Sequence, residues 1–233
     1  MSFMPLTGPR GAFSYGWRRG LIQIVGAAVC SVALIVCTAA RAETPPKIVA
    51  LGNSLVAGYG LPDKDGFVPR LQAALAAKGV AAAIDNAGVS GDTATDGLAR
   101  LDWSVPEGTQ AVILELGAND MLRGIMPQVT QDALDKILRR LTERRIAVLL
   151  CGMRAAPNLG VEYVHAFEAV YPELAAKYGI LLYPFFLDGV AGNLSLTQHD
   201  GLHPNAAGVD VIVARILPKV EELIAQVRKQ HPA

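Results

Sequence analysis

Residues 111–120 read AVILELGAND. The first six form an apolar run broken only by Glu115, without polar alternation, and Gly117 ends it. Such a run is a strand covered on both faces, as in a parallel sheet. The same pattern recurs on either side. Residues 47–51 (KIVAL) precede Gly52, residues 146–151 (IAVLLC) form another run, and residues 80–86 and 180–183 are shorter ones. Helical spacing lies between them. Residues 67–78 run to a stop at Gly79, residues 93–101 follow the second strand, and residues 131–145 are charged and amphipathic. Residues 161–178 carry Pro172, and residues 204–227 carry Pro218, where a kink or break is expected. Five strands alternating with helices predict an α/β fold. It is a three-layer α/β/α, flavodoxin-like, doubly wound five-stranded parallel sheet. No repeat, long linker or second domain interrupts the pattern.

The segment ahead of this domain differs in kind. Residues 1–42 hold Arg10, Arg18, Arg19 and Arg41 and no acidic residue. The chain has 21 basic and 21 acidic residues, so 17 and 21 remain beyond residue 42, a net charge of −4. Arg18 and Arg19 flank an apolar run, residues 21–40, and small residues at Ala40 and Ala42 follow. This is the pattern of a secretory signal peptide cut after Ala42, leaving residues 43–233 as one domain in the periplasm or outside the cell. A retained membrane anchor is the competing reading, because about 20 apolar residues span a bilayer. Cys30 and Cys37 lie in the leader, so Cys151 alone remains, and one thiol makes no internal disulfide. Cys151 reads as a buried small hydrophobe.

Composition narrows the function. A chain 52% hydrophobic without excess charge is not disordered, and its balanced charge implies no nucleic-acid face. In a doubly wound sheet, ligands bind beyond the carboxyl ends of the strands. The loops there hold Gly52-Asn53-Ser54-Leu55, then residues 86–92 (NAGVSGD), then Gly117-Ala118-Asn119-Asp120, and near the end Asp200-Gly201-Leu202-His203-Pro204. Together they suffice for acyl transfer. Ser54 is a nucleophile if a base takes its proton, His203 is that base, and Asp200 holds the imidazole by its other nitrogen. Pro204 disfavours helix at His203 and keeps it on the loop. The backbone N–H groups of Ser54 and Gly91 and the side-chain amide of Asn119 are candidate oxyanion donors. Each piece alone has a blander reading: a helix cap, an Asx turn, a glycine turn, a surface loop. The combination, each member falling after a strand, sets it apart.

These blocks resemble the SGNH, or GDSL, hydrolase family, and within it the bacterial thioesterase I, lysophospholipase L1 and arylesterase branch. The likeness runs from Lys47 to about Val227. Residues 52–55 stand where the family has Gly-Asp-Ser-Leu, and residues 86–101 are like its second block. Residues 115–124 (ELGANDMLRG) match its third block and residues 200–208 (DGLHPNAAG) its last. The resemblance implies an SGNH hydrolase fold. It also implies Ser54, Asp200 and His203 as the catalytic triad, with Ser54, Gly91 and Asn119 as the oxyanion hole. No cofactor or metal is implied. The substrates are small-molecule esters, with short- to medium-chain acyl and aryl groups, and thioesters or lysophospholipids as extensions. No nucleic acid or stable protein partner is implied. Leu55, Met121, Leu122 and Phe185 are the candidate acyl-binding residues, and Ile125, Met126 and Phe186 lie near them in sequence.

Two residues depart from the family pattern. Asn53 replaces the aspartate beside the nucleophile, and Met121 stands where relatives often have glycine. Other readings fit less well. Gly58-Tyr59-Gly60 lacks the third glycine of a dinucleotide fingerprint, and no Gly-Lys-Ser/Thr follows a strand. Neither Ser54 nor Ser90 lies in Gly-x-Ser-x-Gly. His165, His199, His203 and His231 show no metal-ligand spacing. A carbohydrate O-acetylesterase remains an alternative, as does a non-catalytic acyl- or glycan-binding relative.

Overall fold

The computed structural model describes Met1 and residues 44–231. The leader reading therefore lies outside the described residues. In chain order the strands are β1 (Lys47–Gly52), β2 (Ala83–Gly88), β3 (Ala111–Glu115), β4 (Ala147–Cys151) and β5 (Leu181–Tyr183). The helices are α1 (Ser54–Ala57), α2 (Phe67–Ala77), α3 (Ala94–Ala99), α4 (Leu101–Ser104), α5 (Ala118–Leu122), α6 (Pro127–Glu143), α7 (Val161–Tyr178) and α8 (Ala206–Gln230). All strands are parallel, in the order β2-β1-β3-β4-β5. Helix α2 packs with α8, and α6 packs with α3 and α7, so helices cover the sheet in two layers. This is the three-layer α/β/α arrangement read from the sequence. Every residue of β3 and β4 is buried, as an unbroken apolar run requires. Among the described residues no helix is long and apolar enough to cross a membrane.

The chain leaves β1 for the edge strand β2, then returns past β1 to β3. The connections after β1 and β3 thus diverge, and a crevice opens where the strand order reverses. That crevice receives the loops singled out in the sequence.

Several boundaries move, each for a local reason. The second strand begins at Ala83 rather than residue 80, because the Val80 N–H bonds back to Leu75 O at 2.9 Å and extends the end of α2. Residues 93–101 are not one helix. Thr93 caps α3 in a capping box with Asp96, and Arg100 separates α3 from α4. Helix α6 starts at Pro127, where a missing N–H costs nothing. Neither Pro172 nor Pro218 breaks its helix. Both are exposed, while Phe167, Val170, Tyr171 and Leu174 around the first, and Ile216 and Val220 around the second, bury the opposite face. Tertiary packing outweighs the lost backbone bond.

One glycine sets how closely α1 approaches the sheet. A Cβ on Gly88 would lie 2.2 Å from Ala57 N and 2.7 Å from Ala57 Cα. Only backbone faces it, so nothing flexible can yield. Gly88→Ala is therefore expected to lower the unfolding free energy by about 1–3 kcal/mol, the usual cost of overpacking, in urea denaturation. A midpoint equal to wild type would mean α1 shifts freely.

Candidate active site

The end of β1 turns directly into α1. Asn53 is the N-cap, fully buried, and its Oδ1 accepts from Leu55 N at 2.9 Å. Ser54 is the first residue of α1 and is 9% exposed. The loop ahead of α8 faces it. Asp200 Oδ1 accepts from the backbone N–H of Leu202 at 2.9 Å and of His203 at 3.0 Å, which folds the loop tightly. Its other oxygen, Oδ2, lies 2.6 Å from His203 Nδ1. His203 Nε2 lies 2.9 Å from Ser54 Oγ. The bond from His203, followed by the two backbone N–H donors, holds the Asp200 carboxyl down at about 2. An ionised Asp200 takes a proton-bearing Nδ1, so Nε2 presents a lone pair to the serine hydroxyl. The three residues come from two distant segments, and the structure brings all of them together.

The loop is fastened from several sides. Gln198 Nε2 donates to Tyr59 O at 2.8 Å and to Pro204 O at 3.0 Å. The Tyr59 ring lies 4.7 Å from the His203 ring, tilted by 42°. Asn205 caps α8 by accepting from Gly208 N at 3.0 Å. Tyr59 and Gln198 were not singled out in the sequence, since neither stands in a block that signals chemistry.

The remaining candidate oxyanion residues lie on adjoining segments. Asn119, on α5, donates from Nδ2 to Asp92 O at 2.9 Å, leaving its second amide hydrogen uncommitted by that bond. Gly91 has φ of +92°, a left-handed conformation suited to glycine. Its carbonyl accepts from Arg123 at 2.7 Å. Arg100 clamps the next residue, with Nε 2.6 Å from Asp92 Oδ2, and another guanidinium nitrogen donates to Gly52 O at 2.9 Å. Asp120 is fully buried and joins Ala94 N to the Thr130 hydroxyl, and its burial raises its pKa. The Gly91–Asp92 turn is thereby tied to both β1 and α5.

A cavity of about 790 Å³ opens beside Ser54. Ser54, Asn119 and His203 line it, as do all four candidate acyl-binding residues, Leu55, Met121, Leu122 and Phe185. Gly91 is not among the lining residues, although it lies on the neighbouring turn. Phe186 belongs to the core instead, fully buried and edge-on to Phe67 at 5.0 Å. Ile125 and Met126 do not line the cavity, and Met126 is exposed. Met153, Val164 and Leu187 are among the further apolar lining residues and were missed, because an isolated apolar residue carries no signal of which cavity it faces. Arg154 and His165 also reach this cavity, Arg154 with its guanidinium 5.0 Å above the Phe185 ring. Cys151 is fully buried on β4, and burial raises its pKa well above the ordinary value, so it is no nucleophile.

The chain matches the GDSL-like lipase/acylhydrolase family over residues 50–211. It belongs to that family. The esterase TesA of Pseudomonas aeruginosa is 36% identical over 196 residues, covering 84% of this chain and 96% of that protein. The thioesterase 1/protease 1/lysophospholipase L1 of Escherichia coli K12 is 34% identical over 185 residues, covering 79% and 88%. The crystal structure of AlinE4, an SGNH-hydrolase family esterase, is 44% identical with a TM-score of 0.65, covering 76% of this chain and 96% of its own. Family and relatives together make this chain a carboxylic ester hydrolase.

Within this GDSL-like hydrolase, Asn53 fits its surroundings. Glu115, at the end of β3, is fully buried against it, with Oε1 accepting from Asn53 Nδ2 at 2.8 Å. Burial pushes the Glu115 carboxyl up to about 8, against the pull of its hydrogen bonds from Asn53. The folded chain therefore holds Glu115 protonated more readily than the unfolded one does. Its contribution to stability is full below about pH 4.5 and is lost as pH rises through about 8. Urea denaturation is expected to show stability declining from about pH 5 to about pH 9, with a smaller decline in Glu115→Gln. Equal slopes in the two proteins would contradict the burial argument.

Proposed function

We propose that this hydrolase works through an acyl-enzyme on Ser54. The observation that carries the reading is the hydrogen-bonded series from Asp200 through His203 to Ser54, opening on an apolar cavity. His203 Nε2 takes the hydroxyl proton as Ser54 Oγ attacks the ester carbonyl. Asp200 stabilises the resulting imidazolium and keeps the ring oriented. The oxyanion is met by the backbone N–H groups of Ser54 and Gly91 and the free amide hydrogen of Asn119. The imidazolium then gives its proton to the leaving alcohol, phenol or thiol. A water, deprotonated by His203, hydrolyses the acyl group and restores Ser54.

The substrates proposed are short- to medium-chain acyl esters and aryl esters, with thioesters and lysophospholipids as extensions. The cavity falls within the usual range for small-molecule sites, about 300–1,000 Å³, and its wall of Leu, Met, Val and Phe favours an acyl or aryl group over a sugar. Residues 1–42 are proposed as a signal peptide removed after Ala42, placing a single hydrolase domain in the periplasm or outside the cell.

Hydrolysis of p-nitrophenyl esters from acetate to palmitate tests this directly. The wild type is expected to be active, with an optimum chain length that measures the cavity. Ser54→Ala is expected to lose about 10⁴-fold or more. Asn119→Ala is expected to lose about 10²–10³-fold, mostly in kcat, as for removal of one oxyanion donor. Hydrolysis undiminished in Ser54→Ala would overturn the mechanism.

A further inference from the structure

Both nitrogens of the His203 ring are engaged, Nδ1 by Asp200 and Nε2 by Ser54. A third neighbour has a different character. The Tyr59 ring centre lies 4.7 Å from the imidazole centre, with the ring planes 42° apart. Tyr59 is 54% exposed, so its ring gains little from burial. It does not line the cavity beside Ser54, and among the described residues His203 is its aromatic neighbour. Its hydroxyl makes no hydrogen bond among the described residues. What the side chain offers to the site is the aromatic ring itself.

The backbone holds that ring in place from both catalytic segments. Tyr59 N donates to Ser54 O at 3.1 Å, where the chain leaves α1. Tyr59 O accepts from Gln198 Nε2 at 2.8 Å, and the same amide donates to Pro204 O at 3.0 Å. Gln198 N in turn donates to His203 O at 2.8 Å. The segment that carries the nucleophile is thus fastened to the segment that carries the base, with Tyr59 at the join.

An aromatic ring attracts a cation through its quadrupole, and a neutral imidazole much less. The separation of the two ring centres falls within the reach of a cation–π contact, about 6 Å. The proposed reaction forms that cation twice. In acylation the Ser54 proton passes to Nε2, and the imidazolium returns it to the leaving group. In deacylation a water proton passes to Nε2, and the imidazolium returns it to Ser54 Oγ. Both ring nitrogens are already occupied, so further stabilisation of the cation has to come from a group that needs no N–H. We propose that Tyr59 is a positioning residue for the base: its ring packs on His203 and stabilises it in the imidazolium form. This rests on the acyl-enzyme reading, in which His203 is the base. An interaction that strengthens only as charge develops acts on the transition state, so it raises kcat and leaves KM alone.

The test holds the shape of residue 59 nearly constant and weakens its quadrupole. Tyr59→Phe is the reference, followed by mono-, di- and trifluorinated phenylalanine at the same position, with Tyr59→Leu as the variant that has no ring. The readouts are kcat and KM for p-nitrophenyl butyrate and the urea midpoint. Across the fluorinated series kcat is expected to fall stepwise, by about three- to tenfold in all, with KM and the midpoint constant. Tyr59→Leu is expected to fall at least as far below Tyr59→Phe. A kcat that is flat across the fluorinated series overturns the proposal, and this holds even if Tyr59→Leu does not fold. A loss confined to KM overturns it too, since Tyr59 would then be a wall of the substrate site. So does Tyr59→Phe no faster than Tyr59→Leu, which would put the effect in the hydroxyl. A wild type that hydrolyses no ester overturns this proposal and the acyl-enzyme reading together. An active wild type with an inert Ser54→Ala and a flat series overturns this proposal alone.

Discussion

Strands β1 and β3 lie side by side and parallel, with Gly52 in register with Glu115. That one pairing places the ends of both strands at the same height and sends their continuations apart. Ser54 follows from the first strand and Asn119 from the second. Parallel pairing also aligns β2, so the Gly91–Asp92 turn arrives beside them. The remaining partners are brought to this fixed edge. Arg100 draws the turn onto Gly52 O, and Asp200 folds its loop so that His203 reaches across to Ser54.

The electrostatics of the site divide into exposed and buried halves. Asp200 is near solvent and is kept ionised by an imidazole N–H and two backbone donors. Glu115 and Asp120 lie below, fully buried and pushed toward the neutral form. Carboxyl groups thus serve opposite ends: a charge beside the His203 imidazole, and buried hydrogen-bond anchors that hold the loops around Ser54. Glycine makes the close approach possible. A side chain on Gly52 would collide with Val56 at 2.4 Å and with the Glu115 carbonyl oxygen at 2.8 Å.

Much of this was legible in the residues, because the strand signal is local. Unbroken apolar runs marked β1, β3 and β4; the loops after β1 and β3 held Ser54 and Asn119, and the Asp-x-x-His segment ahead of α8 held Asp200 and His203. What escaped was whatever depends on a distant partner. Glu115 reads as one polar residue in an apolar strand, and its meaning comes from Asn53, 62 positions away. Tyr59 and Gln198 brace His203 through contacts that no spacing signals. Met153 and Leu187 are ordinary core types that happen to face the cavity. The prolines of α7 and α8 leave their helices unbroken for the complementary reason: local propensity counts for little where an opposite face is well buried.

The bond between His203 and Ser54 spans 149 positions of sequence. A contact of that separation carries a loop-closure cost that the packing of the intervening elements must offset. The sheet order compounds this, since β1 is synthesised first yet is enclosed by β2 and β3. Under the proposed mechanism, a chain whose sheet has formed but whose last loop has not docked would carry Ser54 without its base. Turnover would therefore report on the docking of a late segment of the chain against an early one, not on the state of either part alone.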